Sequence, residues 1–314
     1  MMKKPLVVLF ALCALVGWLA AQEPVRTSRP ATAPFPTDKI KVRVDLVNVL
    51  LTVTNKKNRL EIDLGKEDFR VFEDEKPQTI RYFSRETNLP LRIGVLVDTS
   101  SSIRDRLHFE QEAAIDFLNT TLRPGKDSAF VVAFDMRTQL VQDYTDDLEK
   151  LSEAIRSLHA GGVTTLYDAI YSSCREKMLF FPPPEPYLRR VMIIISDGQD
   201  NQSEHTREEA LAMAQRAEVT IYTVSTSATG VPGHGDKVLQ RLAEQTGGRA
   251  FFPFKASETA ANFQEIAREL RSQYSLAYIP TNRAHDGTFR TITIESLQKG
   301  LQVRAKPGYF APSE

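Results

Sequence analysis

This sequence predicts an α/β fold, a mostly parallel sheet with helices on both faces, joined to a β-sandwich built from N- and C-terminal flanking strands. Three observations carry that prediction. Between Leu91 and about Ser272, short continuous apolar runs alternate with stretches of helical period. Strands buried on both faces read in this way, and repeated β-α units lay them side by side in parallel. Before Leu91 and after Ser275 the texture is strand without a convincing helix. Each flanking set is too small to hold a core alone, so the two are expected to fold together with the α/β part inserted between them; separate appendages are the alternative.

Taken in order, Met1-Met2-Lys3-Lys4 is basic, Leu6 to Ala21 is almost wholly apolar, and polar, Pro-containing sequence follows from Gln22. That is the pattern of a secretory signal peptide over 1–21. An uncleaved anchor is the alternative, although the run falls short of the ~20 residues needed to span a bilayer. Residues 22–37, rich in Pro, Thr, Ser and Ala, read as a flexible linker. The β-rich N-terminal part is expected over 38–90. Ile40 to Leu46 alternates, Val47 to Val53 is apolar and β-branched, and Phe69–Glu73 and Thr79–Phe83 bracket a turn at Asp74–Pro77.

The α/β domain is expected over 91–272. Strands are predicted at Leu91–Val97, Ala129–Phe134, Arg190–Ile195, Val219–Val224 and Arg249–Phe252, with Thr138–Val141 turning back beside the second. Helical stripes run through Leu107, Ala114, Phe117 and Leu118, through Leu148, Leu151, Ile155 and Leu158, and through Phe263, Ile266, Leu270 and Tyr274. Thr206-Arg207-Glu208-Glu209 is a capping box. A further helix is expected from about Asp236 to Gln245, stopped by Gly247-Gly248 in a left-handed cap. Strands at Tyr274–Ile279, Thr288–Glu295 and Leu301–Ala305 make the β-rich C-terminal part over 273–314.

The 314 residues carry 40 basic and 40 acidic side chains, so no net field favours nucleic acid or an anionic membrane and a partner must be recognised locally. Of the two cysteines, Cys13 lies inside the leader, too early to serve as a lipid attachment site. Cys174 repeats at a spacing of four with Leu166, Ile170 and Met178, which predicts burial on a helix. An exported chain with one cysteine has no internal disulfide and depends on its core.

The chemistry-bearing residues fall in three segments. Asp98-Thr99-Ser100-Ser101-Ser102 ends the first apolar run, Gly161 to Ile170 is a glycine loop entering a helix, and Asp197-Gly198 follows Ile193-Ile194-Ile195. In an open α/β sheet, loops at the carboxyl ends of strands converge on the binding crevice. Oxygen-only donors of this kind suit a hard divalent cation such as Mg²⁺, with Mn²⁺ or Ca²⁺ as alternatives. Alone, each segment is also a helix start, a loop or a turn. Asp168 reads as a first-turn helix acid, and Asp135 and Asp200 as solvated turn residues.

Together the three segments resemble the metal-ion-dependent adhesion site of von Willebrand factor type A domains, with its Asp-x-Ser-x-Ser, distal Thr and distal Asp. Asp98, Ser100 and Ser102 match the first loop, Thr164 the threonine and Asp197 the last aspartate; Thr165 is the competing choice in the second loop. The flanks, Phe69–Asp74 and Arg304–Pro312, look similar to those of an exported bacterial, acidobacterial-type group of such proteins. The resemblance implies a Rossmann-like α/β domain. It also implies a protein ligand offering an acidic side chain, and a shift of the last helix when the ligands rearrange.

The function so predicted is an exported, metal-dependent protein-binding or adhesion module, found in the periplasm or outside the cell. The alternative is a cell-envelope structural or assembly factor in which the metal only stabilises. No small-molecule substrate or nucleic acid is expected, and membrane contact arises only through an uncleaved leader. An enzyme is not expected, because Ser100 lacks the glycine flanks of a nucleophile elbow and the histidines show no His-Glu-x-x-His spacing. Gly230–Gly235 lacks the strand-to-helix setting of a dinucleotide site and reads as a rim loop, and Phe180–Tyr187 as a surface excursion.

Overall fold

The computed structural model of the chain describes residues 46–86, 88–179, 188–227 and 233–313. The expected signal peptide, the linker, the alternating segment before Leu46, the 180–187 excursion and the first half of the Gly230–Gly235 loop lie outside the described residues. Among the described residues, no helix is long and apolar enough to cross a membrane.

Four strands come first: β1 (Val47–Asn55), β2 (Phe69–Glu73), β3 (Lys76–Gln78) and β4 (Ile80–Glu86). Next come β5 (Leu91–Asp98), α1 (Leu107–Thr121), β6 (Ser128–Phe134), β7 (Thr138–Thr145), α2 (Leu148–Arg156) and α3 (Leu166–Ser172). They are followed by β8 (Arg189–Ser196), α4 (Arg207–Arg216), β9 (Val219–Ser225), α5 (His234–Glu244), β10 (Ala250–Phe251) and α6 (Ala256–Leu270). The last four strands are β11 (Gln273–Tyr278), β12 (Phe289–Ser296), β13 (Leu301–Ala305) and β14 (Gly308–Phe310).

The central sheet has the order β10-β9-β8-β5-β6-β7, parallel except for β7. Its inner strands β5, β6, β8 and β9 are buried on both faces, which is why they read as unbroken apolar runs. Ile93, Val95 and Val97 of β5 join Val191, Ile193 and Ile195 of β8 in the core under α1, α2 and α6. The alternate residues Leu96, Met192 and Ile194 face the opposite core, under α3, α4 and α5.

The flanking strands form two antiparallel four-stranded sheets, β13-β1-β11-β4 and β14-β12-β2-β3. Each sheet draws strands from both ends of the chain. One core joins them: Val47, Val49, Leu51 and Val53 of β1 with Tyr274, Leu276 and Tyr278 of β11 meet Phe69, Val71 and Ile292 of the second sheet. The predicted α/β fold with a composite sandwich is what the chain adopts. The α/β part begins after β4 and returns at β11, and these strands pair directly, with Gln273 opposite Glu86.

Some details differ from the sequence reading. The three-residue strand β14 was not expected. Helix α5 starts at His234 rather than near Asp236, because Asp236 is its third residue and reaches back to accept the Gly233 N–H at 2.7 Å. The Cys174 stripe is buried as expected, but past Ser172 the helix widens into a π-helical turn over Ser173–Leu179. Cys174 is fully buried and unpaired, and burial pushes its thiol pKa up, so it packs as a small apolar group.

Candidate metal centre

Strand order reverses direction at the β5/β8 boundary. The chain leaving β5 crosses through α1 to β6 on one side, and the chain leaving β8 crosses through α4 to β9 on the other. The two loops part there and open a crevice at the carboxyl ends of the strands. Asp98 is the last residue of β5, and Asp197 directly follows β8.

Asp98 is fully buried. One oxygen accepts the Ser100 N–H at 2.8 Å and the other the Ser196 hydroxyl at 2.7 Å. Burial pushes its carboxyl pKa up to about 6; the Ser196 and Ser100 hydrogen bonds oppose that rise, and the charge of Asp197 adds to it. The Ser100 and Ser102 hydroxyls lie 2.9 Å apart. The Ser100 and Ser102 hydroxyls thus lie side by side in the loop whose backbone the Asp98 carboxylate holds.

Backbone bonds lock the second loop onto the first: Gly161 N–H donates to the Thr99 carbonyl at 2.6 Å, and Ser101 N–H to the Gly162 carbonyl at 3.2 Å. Gly162 sits at φ +90°, a conformation that disfavours a side chain. The competing threonines separate here. The Thr165 hydroxyl donates to the Asp135 carbonyl at 2.9 Å. Thr164 is 2% exposed, and its carbonyl accepts the N–H groups of Asn201 at 3.0 Å and Gln202 at 3.3 Å, which brings the third loop against the second. Asp197 is half-buried and accepts the Gln199 N–H at 2.9 Å.

The third loop is held from behind by glycine packing. A Cβ on Gly235 would stand 2.1 Å from the Asp197 carbonyl oxygen, and one on Gly198, at φ +75°, 2.2 Å from the Gly235 oxygen. Only backbone without side chains permits this approach of α5 to the Asp197 turn. Gly235→Ala is expected to cost roughly 1–3 kcal/mol by overpacking. It should displace Asp197, so that differential scanning fluorimetry records a lower Tm.

Asp168 does not join the site. Its oxygens accept the N–H groups of Glu204 at 3.0 Å and His205 at 2.9 Å, and Oδ1 lies 2.7 Å from His205 Nδ1, so it anchors the third loop to α3. Asp200 is more than a solvated turn residue. It accepts the Tyr167 N–H at 3.2 Å and the Ser203 hydroxyl at 2.6 Å, fastening the same loop to the start of α3.

Three neighbours of these loops carry no local signal of their contacts in the sequence. Ser196 fixes Asp98, a contact visible only once β5 and β8 are known to pair. Arg106 donates to the carbonyls of Thr226 and Ser227, both at 3.0 Å, and of Pro253 at 3.3 Å, tying the start of α1 to the ends of β9 and β10. Glu110, on the first turn of α1, is 3% exposed. Burial pushes its pKa up to about 8; the positive charge of Arg106 opposes this, while Asp98 and Asp197 add to it. Its signal in the sequence was an acid on the apolar stripe that carries Leu107, Ala114 and Phe117. A cleft of about 290 Å³ opens beside the loops, lined by Ser102, Arg106, Asp197, Thr226 and Asp236 among others.

The donor set fits a hard divalent cation. It consists of oxygens alone, with a desolvated carboxylate whose charge a cation would offset and two hydroxyls already side by side. The Ser100 and Ser102 hydroxyls bond to each other rather than to an imidazole.

No curated protein matches this chain. Among solved structures, a conserved hypothetical protein, BatB, from Bacteroides thetaiotaomicron is 18% identical, with 58% of this chain and 100% of that one covered and a TM-score of 0.47. Proximal thread matrix protein 1 from the mussel byssus, with a zinc-occupied MIDAS motif, is 18% identical over 63% of this chain and 50% of that one, with a TM-score of 0.50. The vWF domain of the type V pili tip protein Mfa5 from Porphyromonas gingivalis is 14% identical over 57% and 94%, with a TM-score of 0.47. These likenesses concern the fold. The model of the von Willebrand factor type A domain family matches residues 93–269, more than half of the chain and all but the edges of its α/β part. With that match, on a sheet whose crevice carries the three loops, the chain belongs to the von Willebrand factor type A domain family.

Proposed function

We propose that this chain is an exported protein-binding module of the adhesive kind. In this reading Asp98, Ser100, Ser102, Thr164 and Asp197 hold Mg²⁺, with Mn²⁺ or Ca²⁺ as substitutes. A divalent cation bound by hydroxyls and few carboxylates keeps residual positive charge and accepts an anionic ligand, here an acidic side chain of a partner protein. The observation that carries the reading is the Ser100–Ser102 hydroxyl pair beside the buried Asp98, at the one crevice that the strand order opens.

The surroundings suit a protein partner. Met136 is 60% exposed and lies against Gly162 of the second loop. Phe254 is 57% exposed, next to the Pro253 carbonyl that Arg106 holds. Exposed apolar side chains flanking a charged centre are common at interfaces and contribute much of the affinity. Export rests on the leader over 1–21, and the division into an α/β domain over 91–272 with flanking halves over 38–90 and 273–314 is part of the same proposal. The similarity of the flanks to the acidobacterial-type exported group points the same way.

The test is a pull-down from cell-envelope extract with immobilised protein, in Mg²⁺ and in chelator, beside the Met136→Ala variant. A protein retained only with Mg²⁺, and at least several-fold less by Met136→Ala, supports the reading. A protein that melts at a higher temperature with Mg²⁺ yet retains nothing metal-dependent is a structural or assembly factor.

A further inference from the structure

Resting on the metal site just proposed, we infer that Glu110 is a third carboxylate of that site, a positioning residue contributed by α1 that accepts a hydrogen bond from the cation's water shell. The Asp-x-Ser-x-Ser pattern does not contain it. Glu110 is 3% exposed, and its Oε2 has no hydrogen-bond partner among the described residues. A buried carboxylate oxygen without a partner is rare in a folded protein and calls for an ion or a bound water.

The obvious structural partner is committed elsewhere. Arg106, one turn earlier on the same helix, directs Nη1 and Nη2 to the carbonyls of Thr226, Ser227 and Pro253. The charges near enough to act on Glu110 are those of Arg106, one turn away on α1, and of Asp98 and Asp197, both proposed ligands. A second buried atom in this corner is also without a partner: the hydroxyl of Thr226, which lines the cleft together with Asp197 and Ser102. An acid placed among acids and left unpaired weakens a protein, unless a cation joins the group. Burial keeps Glu110 protonated in the empty site; a bound cation draws off that proton, and the carboxylate then stands behind the site without occupying the open side.

Calorimetric titration with Mg²⁺ and Mn²⁺ tests this on the full chain, the isosteric Glu110→Gln and the apolar Glu110→Met. Both variants should fold and melt, in chelator, at or above the parent's temperature. Both should bind the cations about 10-fold or more weakly, the range seen when a residue behind a metal ligand is removed. Unchanged affinity in either folded variant overturns the role of Glu110, provided that the parent binds and Asp98→Asn does not. If the parent takes up no cation at all, the metal site itself fails, and this inference with it.

Discussion

Asp98→Asn should abolish cation uptake while leaving a folded protein, and this is the largest functional effect expected of any single substitution here. The carboxylate is fully buried at the end of β5, and both of its oxygens already accept hydrogen bonds, from the Ser100 N–H and the Ser196 hydroxyl. Asparagine keeps the volume and one acceptor for the Ser100 N–H, removes the charge, and sets an NH2 group against the Ser196 hydroxyl, which can turn to accept from it. Alanine would instead leave the two donors unsatisfied, at about 1–3 kcal/mol, and confuse the outcome. Under the proposed function, Mg²⁺ at a 100-fold excess over its Kd should stabilise the parent by about 2.7 kcal/mol. Asp98→Asn should gain none, and calorimetry should register at least a 100-fold loss of affinity. Uptake of Mg²⁺ by Asp98→Asn at parental affinity would remove Asp98 from the site.

The pH dependence has a definite sign. The folded pKa of Asp98, about 6, lies above its ordinary value, so the folded metal-free protein holds a proton that the unfolded chain releases. Its stability without metal therefore falls as pH rises from about 4 through 6. Protons compete with the cation over the same window, and affinity should weaken as pH falls below about 6.

The loops of the site were legible because their residues sit where local sequence already marks a strand end. An apolar run followed by Asp98-Thr99-Ser100 or by Asp197-Gly198 announces both the element and its terminus. What could not be read were residues whose partners lie far along the chain. Ser196 reaches Asp98 across 98 positions, and the turn of Thr165 to the Asp135 carbonyl, 30 positions away, is not visible in the sequence, where Thr165 competes with the preferred Thr164. The sandwich was legible as composition, since neither flank could close a core alone. Its register was not: the pairing of β1 with β11 and β13, or of β2 with β12, joins segments over 200 positions apart and depends on the inserted domain being folded. Short β14 follows Pro307 and carries no alternation long enough to notice.

Asp127→Ala should be the most destabilising of these substitutions, and the reason lies at the base of the α/β part, far from the crevice. Asp127 is 2% exposed and accepts the N–H of Leu91, the first residue of β5, at 2.8 Å. It also accepts from Arg271, just past the end of α6, at 2.7 Å and from Arg123 at 2.8 Å. One carboxylate thus fastens the points where the chain comes from β4 and goes on to β11. Burial raises its pKa, but the hydrogen bonds from Arg123, Leu91 and Arg271 outweigh burial and hold it down to about 2. Because the folded pKa lies below the ordinary value, this contribution of about 2 kcal/mol is present above pH 4 and is lost as pH falls toward 2. Removing the side chain also strands the Leu91 N–H and two partly buried guanidinium groups, so the loss should reach about 3 kcal/mol. For a chain of this size that lowers Tm by roughly 5 °C. Thermal melts at pH 7 and at pH 3 decide the matter: the gap between parent and Asp127→Ala should be wide at pH 7 and should narrow at pH 3. A gap that stays constant would mean that Asp127 acts through packing and not through its charge.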